Sequence, residues 1–263
     1  MKIFRRSVVV QDLPIRYEEV VAESEAIAAG ESLVLIHGLA ESSRVWYRNA
    51  ATLAERYHVY LVDLPGFGTM HHLRRHFNLP DCATWLDGWM QAAGLSSAHL
   101  VGHSMGGYVA MALAALRPEK IQRLVLVDSI GAPFESGSDL KVAQYRALKA
   151  IGRTTPVFWP YIAYDYVRSG PAMVLKVAQQ ILALDAAEVM TAVRAPTLLV
   201  WGAEDDLIPI AMGRSLHERL AGSRLLILPR ANHFCMFEQP RAFNDALLRF
   251  LQDDKRLEER LLL

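Results

Sequence analysis

Cysteine is scarce: Cys82 and Cys235 are the only two in 263 residues. No disulfide framework is expected, and the two thiols fit a reducing, cytoplasmic setting. Neither sign of charge is in excess, with 28 Lys and Arg against 28 Asp and Glu. Nothing therefore favours nucleic acid or an anionic membrane surface as partner. No apolar run reaches the ~18 residues that cross a bilayer, so no membrane span is expected. The start, Met1-Lys2-Ile3-Phe4-Arg5-Arg6-Ser7, carries charge without an apolar core or cleavage site behind it, and no leader is expected there. Internal repeats, low-complexity stretches and motifs for a metal, nucleotide or flavin are also missing, so no cofactor is implied. What is present is ordinary for a globular chain: 52% hydrophobic and 21% charged, enough for one domain or one domain with an inserted lid.

Short β-rich runs alternate with helix-length amphipathic runs, the pattern of an α/β sheet covered on both faces. The strands expected are Ser7–Val10, Ile15–Val21, Ser32–Ile36, His58–Val62, Ala98–Val101, Arg123–Val127, Pro196–Trp201 and Ser223–Leu228. The first two alternate with charges, as an antiparallel edge does. Leu33-Val34-Leu35-Ile36 and Leu124-Val125-Leu126-Val127 are continuously apolar, as central parallel strands are. Helices are expected over Val45–Arg56, Asp81–Ala93, Met105–Leu116, Ile210–Leu220 and Pro240–Asp253. From Gly131 to Ala192 the alternation stops, and helical periodicity runs on without a strand, cut by Pro133, Gly137, Gly152, Pro156, Pro160, Gly170 and Pro171. Three segments follow: a first core part over 1–130, a helical lid over 131–193, and a second core part over 194–263.

Ser104 stands in Val101-Gly102-His103-Ser104-Met105-Gly106-Gly107, between a strand-like run and a helix-like run. This is the G-x-S-x-G context of a nucleophile elbow, where the chain reverses sharply with the serine strained at the tip. A side chain at Gly102 or Gly106 would clash where the turn is tightest. The helix that begins here aims free N–H groups and its positive dipole end at any anion formed beside Ser104. A serine nucleophile needs a base, and the base an orienting acid. Among nine histidines, His233 follows the strand Leu225–Leu228 after a short loop, at the same sheet edge as the elbow. Asp205 lies just past another strand end, in Trp201-Gly202-Ala203-Glu204-Asp205. The chain order Ser104, Asp205, His233 suits this architecture.

On these residues the chain resembles the α/β-hydrolase superfamily, within its group of small, lidded serine esterases. The resemblance runs from about Ser32 to about Asp253 and rests on five ordered matches. They are His37-Gly38, Asp63-Leu64-Pro65-Gly66-Phe67-Gly68, the elbow, Gly202-Ala203-Glu204-Asp205 and Asn232-His233-Phe234. It implies a mostly parallel eight-stranded sheet flanked by helices, with an inserted helical lid. It also implies an oxyanion hole from the N–H groups of Leu39 and Met105, which would stabilise the negative oxygen of a tetrahedral intermediate. His37 and Asp63 are expected to shape loops, and His103 to pack and hydrogen-bond beside the nucleophile. Asp128, at the end of Leu124–Val127, is an understudy for Asp205, because some relatives take their acid from there. The run Thr69-Met70-His71-His72 departs from the family pattern. With Arg74, Arg75 and His76 it reads as a solvated basic loop near the site entrance, since the His72 and His76 pair lacks a third metal ligand. Cys235 reads as a buried thiol.

The function expected is hydrolysis of small to medium, largely apolar carboxylic esters through an acyl-enzyme on Ser104, with a small-molecule ester as partner. Trp159, Tyr164 and Phe234 are expected to touch substrate. The alternatives are carbon–carbon hydrolysis, hydroxynitrile cleavage or perhydrolysis by the same triad, or a ligand receptor that kept the pocket. Carbon–carbon hydrolases of the superfamily often carry Trp after the catalytic histidine, where this chain has Phe234. Physiological substrate and oligomeric state are not legible.

Overall fold

A computed structural model describes residues 2–22, 30–132 and 140–253. Pro133 and Gly137, and the tail Arg256–Leu263, lie outside the described residues. Eight strands form one sheet: β1 (Lys2–Val10), β2 (Leu13–Val21), β3 (Ser32–Ile36), β4 (His58–Val62), β5 (Ala98–His103), β6 (Ile121–Val127), β7 (Thr197–Gly202) and β8 (Arg224–Leu228). Their spatial order is β1-β2-β4-β3-β5-β6-β7-β8. β2 pairs antiparallel with both β1 and β4, and every other neighbour pair is parallel. The mostly parallel eight-stranded sheet and its antiparallel edge are as expected.

The edge hairpin is longer than its apolar pattern indicates. β1 starts at Lys2 rather than Ser7, and β2 at Leu13 rather than Ile15. Residues Lys2 to Arg6 are exposed, so no apolar period marks them. The two-residue turn is Gln11 (φ 50°) and Asp12 (φ 63°), both in the left-handed region. Such a turn matches strand twist, but these residues lack the usual Asn-Gly signal.

The helices are α1 (Tyr47–Leu53), α2 (Cys82–Ala92), α3 (Met105–Leu116), α4 (Leu140–Arg153), α5 (Trp159–Ser169), α6 (Pro171–Leu182), α7 (Ala187–Ala192), α8 (Ile210–Arg219), α9 (Cys235–Glu238) and α10 (Pro240–Leu251). Alternate residues of one strand serve two cores. Val34 and Ile36 pack in a cluster with residues of α2, α3, α6 and α8, whereas Leu33 and Leu35 pack with residues of α1, α9 and α10. That double burial is why β3 and β6 read as unbroken apolar runs. Gly68–His76, expected as a loop, is instead a 3₁₀ stretch whose Met70 and Leu73 are buried. The expected helix over Val45–Arg56 is a 3₁₀ turn, Ser43–Trp46, leading into the shorter α1. Helices α4 to α7 fall between β6 and β7. No described helix is long and apolar enough to cross a membrane.

Strand order positions the site. From β3 the chain goes to β4 on one side and then to β5 on the other, so the order reverses at β3. Beyond the carboxyl ends of strands at such a switch point, loops diverge and leave a crevice. The loops that diverge here begin at His37 and at Ser104.

Candidate active site

Ser104 is the tip of the turn from β5 into α3, with φ 51° and ψ −116°. A non-glycine residue in that region stores ~1–3 kcal/mol of strain, which persists only where its surroundings enforce it. Here the Ser104 N–H donates to Val127 O at 2.9 Å, and Ser104 O accepts from Gly107 N–H at 3.0 Å. A Cβ on Gly102 would lie 2.2 Å from Gly106 O, and one on Gly106 would lie 2.4 Å from His37 O. Both glycines are therefore required by close backbone approach. The second contact also sets the start of α3 against the end of β3.

His233 lies in the loop from β8 to α9, and Asp205 in the loop after β7. The two meet: His233 Nδ1–H donates to Asp205 Oδ2 at 2.7 Å, and both side chains are almost wholly buried. The remaining oxygen, Asp205 Oδ1, accepts from the N–H groups of Leu207 at 2.8 Å and Ile208 at 2.9 Å. Both carboxylate oxygens are thus engaged, which fixes the acid and the imidazole it holds. His233 is drawn to the elbow through His103, whose ring centroid is 4.7 Å from that of His233.

Asp128 directly follows β6 and is fully buried, and its Oδ1 accepts from Gly202 N–H at 2.8 Å. Burial first, and then the charge of Asp205, push its carboxyl well above the usual range. Asp128 is thus harder to ionise than an ordinary acid, and the histidine contact goes to Asp205.

The loop after β3 carries Leu39, half-buried, while Met105 opens α3 and is buried. His37 shapes this loop. Its Nδ1–H donates to Gly38 O at 2.8 Å and its Nε2 accepts from Leu64 N–H at 3.0 Å, so both ring nitrogens have backbone partners. Asp63 ties two loops together by accepting from Ser43 N–H, Thr69 N–H and the Thr69 hydroxyl, each at 2.7 Å. Cys235 is buried, and burial pushes its thiol well up, so it is no thiolate.

The aromatic residues of the inserted helices divide. Phe158 is buried against Phe234 (4.8 Å between centroids) and Phe237 (4.1 Å), and Phe234 in turn lies 5.3 Å from the ring of His233. Trp159 is half exposed, with its indole N–H donating to Ile151 O. Tyr164 is no plain apolar wall: Arg44 lies over its ring at 4.4 Å and Arg168 donates to its hydroxyl at 2.8 Å. It lines a cleft of about 680 Å³ with Arg16, Arg44, Arg168, Asp63 and Asp165, which neither Ser104 nor His233 lines.

Two buried acids carry more of the site than their sequence context shows. Asp165, the one charge in the aromatic run of α5, is 3% exposed and accepts from the Ser42 hydroxyl at 2.6 Å. That contact pins α5 to the loop that holds Leu39. Glu41 is buried in the same loop and accepts from Gly38 N–H at 2.9 Å and from His103. No motif marks either residue, and only their position in apolar or loop-tip surroundings hints at burial. His71 is partly buried beside Arg168, while His72 and His76 are exposed. Among the described residues, no group of three His, Cys, Asp or Glu is placed to hold a metal ion.

Residues 31–153 match the family model described as alpha/beta hydrolase fold, and residues 178–259 match one described as TAP-like protein. The chain is 30% identical over 252 residues to a pimeloyl-[acyl-carrier protein] methyl ester esterase of Aeromonas hydrophila, covering 86% of this chain and 98% of that one. It is 29% identical to a 2-hydroxy-6-oxononadienedioate/2-hydroxy-6-oxononatrienedioate hydrolase of Paraburkholderia phymatum, covering 85% and 88%. Among solved structures, a bacterial membrane phospholipase A described as a virulence factor superposes with a TM-score of 0.82 at 27% identity, over 95% of this chain and 86% of that one.

Proposed function

Because this chain belongs to the α/β-hydrolase family, we propose that it is a serine hydrolase of carboxylic esters working through an acyl-enzyme on Ser104. The observation that carries this reading is the 2.7 Å contact of His233 with Asp205 at the sheet edge where Ser104 sits strained. Ser104 Oγ attacks the ester carbonyl while His233 Nε2 takes its proton. The N–H groups of Leu39 and Met105 hold the oxyanion, and the alcohol leaves with the proton from His233. Water, activated by the same imidazole, then attacks the acyl-enzyme and releases the acid. Asp205 keeps the Nδ1–H tautomer, so Nε2 is free to act as base.

The segment 131–193 serves as a lid, and Trp159 and Phe234 contact small to medium, largely apolar acyl groups, whereas Tyr164, which lines the charged cleft apart from Ser104 and His233, is left out of that contact. Phe234 has the strongest support, since its ring lies against His233. The esterase relative supports an ester as the small-molecule partner. The two buried free thiols support a cytoplasmic setting. A second reading, hydrolysis of a carbon–carbon bond in a 2-hydroxy-6-oxo-dienoate, draws on the nearly equal similarity to the dienedioate hydrolase. Short-chain aryl esters and a fluorophosphonate probe separate the two. Rapid turnover with Ser104-dependent labelling supports the esterase. Labelling without ester turnover, together with cleavage of the dienoate, supports the second.

A further inference from the structure

His103 precedes the nucleophile, is fully buried, and has both ring nitrogens on oxygen atoms. Its Nδ1 lies 3.1 Å from Glu41 Oε2, and its Nε2 lies 2.8 Å from the backbone oxygen of His233. A carbonyl oxygen accepts and never donates. A neutral imidazole has only one N–H, so it can satisfy one of these oxygens and must turn a lone pair on the other. With Glu41 ionised and His103 neutral, one of the two short buried contacts is repulsive. Glu41 Oε2 also accepts from Gly38 N–H at 2.9 Å, which suits an ionised carboxylate receiving two donors.

We propose that His103 is held as a doubly protonated imidazolium by the Glu41 carboxylate, and that this buried ion pair positions His233 relative to Ser104. Three loops meet on the pair. Glu41 holds Gly38 N–H and so the loop carrying Leu39, His103 is part of the elbow, and the imidazolium Nε2–H holds the backbone of His233. His103 touches no substrate and is a positioning residue. This assignment of its role rests on the serine-hydrolase reading, whereas its protonation does not.

The surroundings agree. The titratable groups facing the pair are His37 at the end of β3, His233 after β8 and Asp205 after β7. Burial opposes charge on both partners. For Glu41 it is outweighed by the charge and hydrogen bond of His103, with Gly38 N–H and His37 adding, and the carboxyl stays below its ordinary range. For His103 it is outweighed by Glu41, then by the His233 carbonyl and Asp205, and the imidazole stays above its ordinary range. As a pair they bury no net charge, which is how ionised groups survive in a core.

The test is the imidazole nitrogen NMR spectrum of the full-length protein, recorded from pH 6 to pH 9 on the Ser104→Ala form as well as the wild type. His103 should show two proton-bearing nitrogens that do not titrate through the ordinary histidine range. A single N–H, or ordinary titration in the folded protein, overturns the assignment whether or not the protein hydrolyses any ester. Glu41→Gln keeps the shape and removes the charge. It should convert His103 to a single-N–H imidazole and lower kcat on an aryl ester by about 10- to 100-fold with KM within about twofold, as expected when a base is displaced from its nucleophile. Unchanged kcat in a Glu41→Gln protein whose His103 has lost its proton overturns the positioning role. If Glu41→Gln does not fold, Glu41→Asp reads the same split: it should keep both N–H signals and lose less of kcat, and loss of the second signal with full kcat counts against the role.

Discussion

Asp205 Oδ2 accepts from His233 Nδ1–H at 2.7 Å, while Asp128 Oδ1, buried alongside, accepts from Gly202 N–H. The two acids of this sheet edge are therefore unequal in partner. Asp205→Asn offers an amide in place of the acceptor and allows the wrong tautomer of His233, so kcat should fall by roughly 10³- to 10⁴-fold. Asp128→Asn keeps the shape and an oxygen that can still accept from Gly202 N–H, and kcat should fall by less than about tenfold. Steady-state kinetics on one aryl ester ranks the two, and the reverse order would exchange their roles.

The same asymmetry reaches stability. In the folded protein the Asp128 carboxyl lies well above the ordinary carboxylate range, because burial and the Asp205 charge disfavour its ionised form. Between the unfolded and folded values the native state binds the extra proton, so stability falls as pH rises through that window. Asn does not titrate. The melting temperature of Asp128→Asn relative to wild type should therefore climb from pH 4 towards pH 8. A difference that stays flat or declines over that range would show that Asp128 ionises freely in the fold.

Ser104, the proposed nucleophile, sits in a strained backbone conformation. Ser104→Ala should lose fluorophosphonate labelling and ~10⁴- to 10⁶-fold in ester hydrolysis while keeping its fold. Ser104→Gly should be equally inactive but more stable than Ser104→Ala by about 1 kcal/mol, because glycine tolerates φ 51° with ψ −116° without the steric cost. Chemical denaturation of the two variants measures the gap. Equal midpoints would mean that the elbow stores no strain at its tip.

Much of this architecture was legible because it obeys simple periods. The β3 and β6 runs show that both sheet faces are covered, and the ends of β5, β7 and β8 show which loops share an edge. Those ends place Ser104, Asp205 and His233 at one edge as candidates, and the structure brings His233 and Asp205 into contact there. Glu41 and Asp165 do not stand out in this way, because a buried carboxylate looks in sequence like a solvated one. Its partners, His103 and the Ser42 hydroxyl, lie 62 and 123 residues away. The first half of β1 is hidden for the opposite reason: it is exposed on the edge hairpin and held by backbone pairing, which leaves no apolar signature. The 3₁₀ stretch Gly68–His76 is set by burial of Met70 and Leu73 under a polar, histidine-rich run that reads as solvated.

Substrate length should report on α5. Phe158 is buried on Phe234 and Phe237 and belongs to the attachment of this helix, whereas Trp159 and Tyr164 are 47% and 43% exposed. Replacing either of the exposed pair by Ala should cost little stability, so any change in selectivity can be read directly. Each methylene buried against an apolar wall contributes up to ~0.8 kcal/mol, so kcat/KM over a series of neutral esters should rise severalfold per carbon until the space is full. Trp159→Ala should flatten that rise if the indole covers the acyl chain. Tyr164→Ala removes the ring beneath Arg44 and the hydroxyl partner of Arg168, leaving each guanidinium with one partner fewer. It should therefore shift preference towards a carboxylate-bearing ester more than it alters the neutral series. A neutral-series profile untouched by Trp159→Ala, or a wild type that already prefers the anionic ester, would rule out a selective apolar lid.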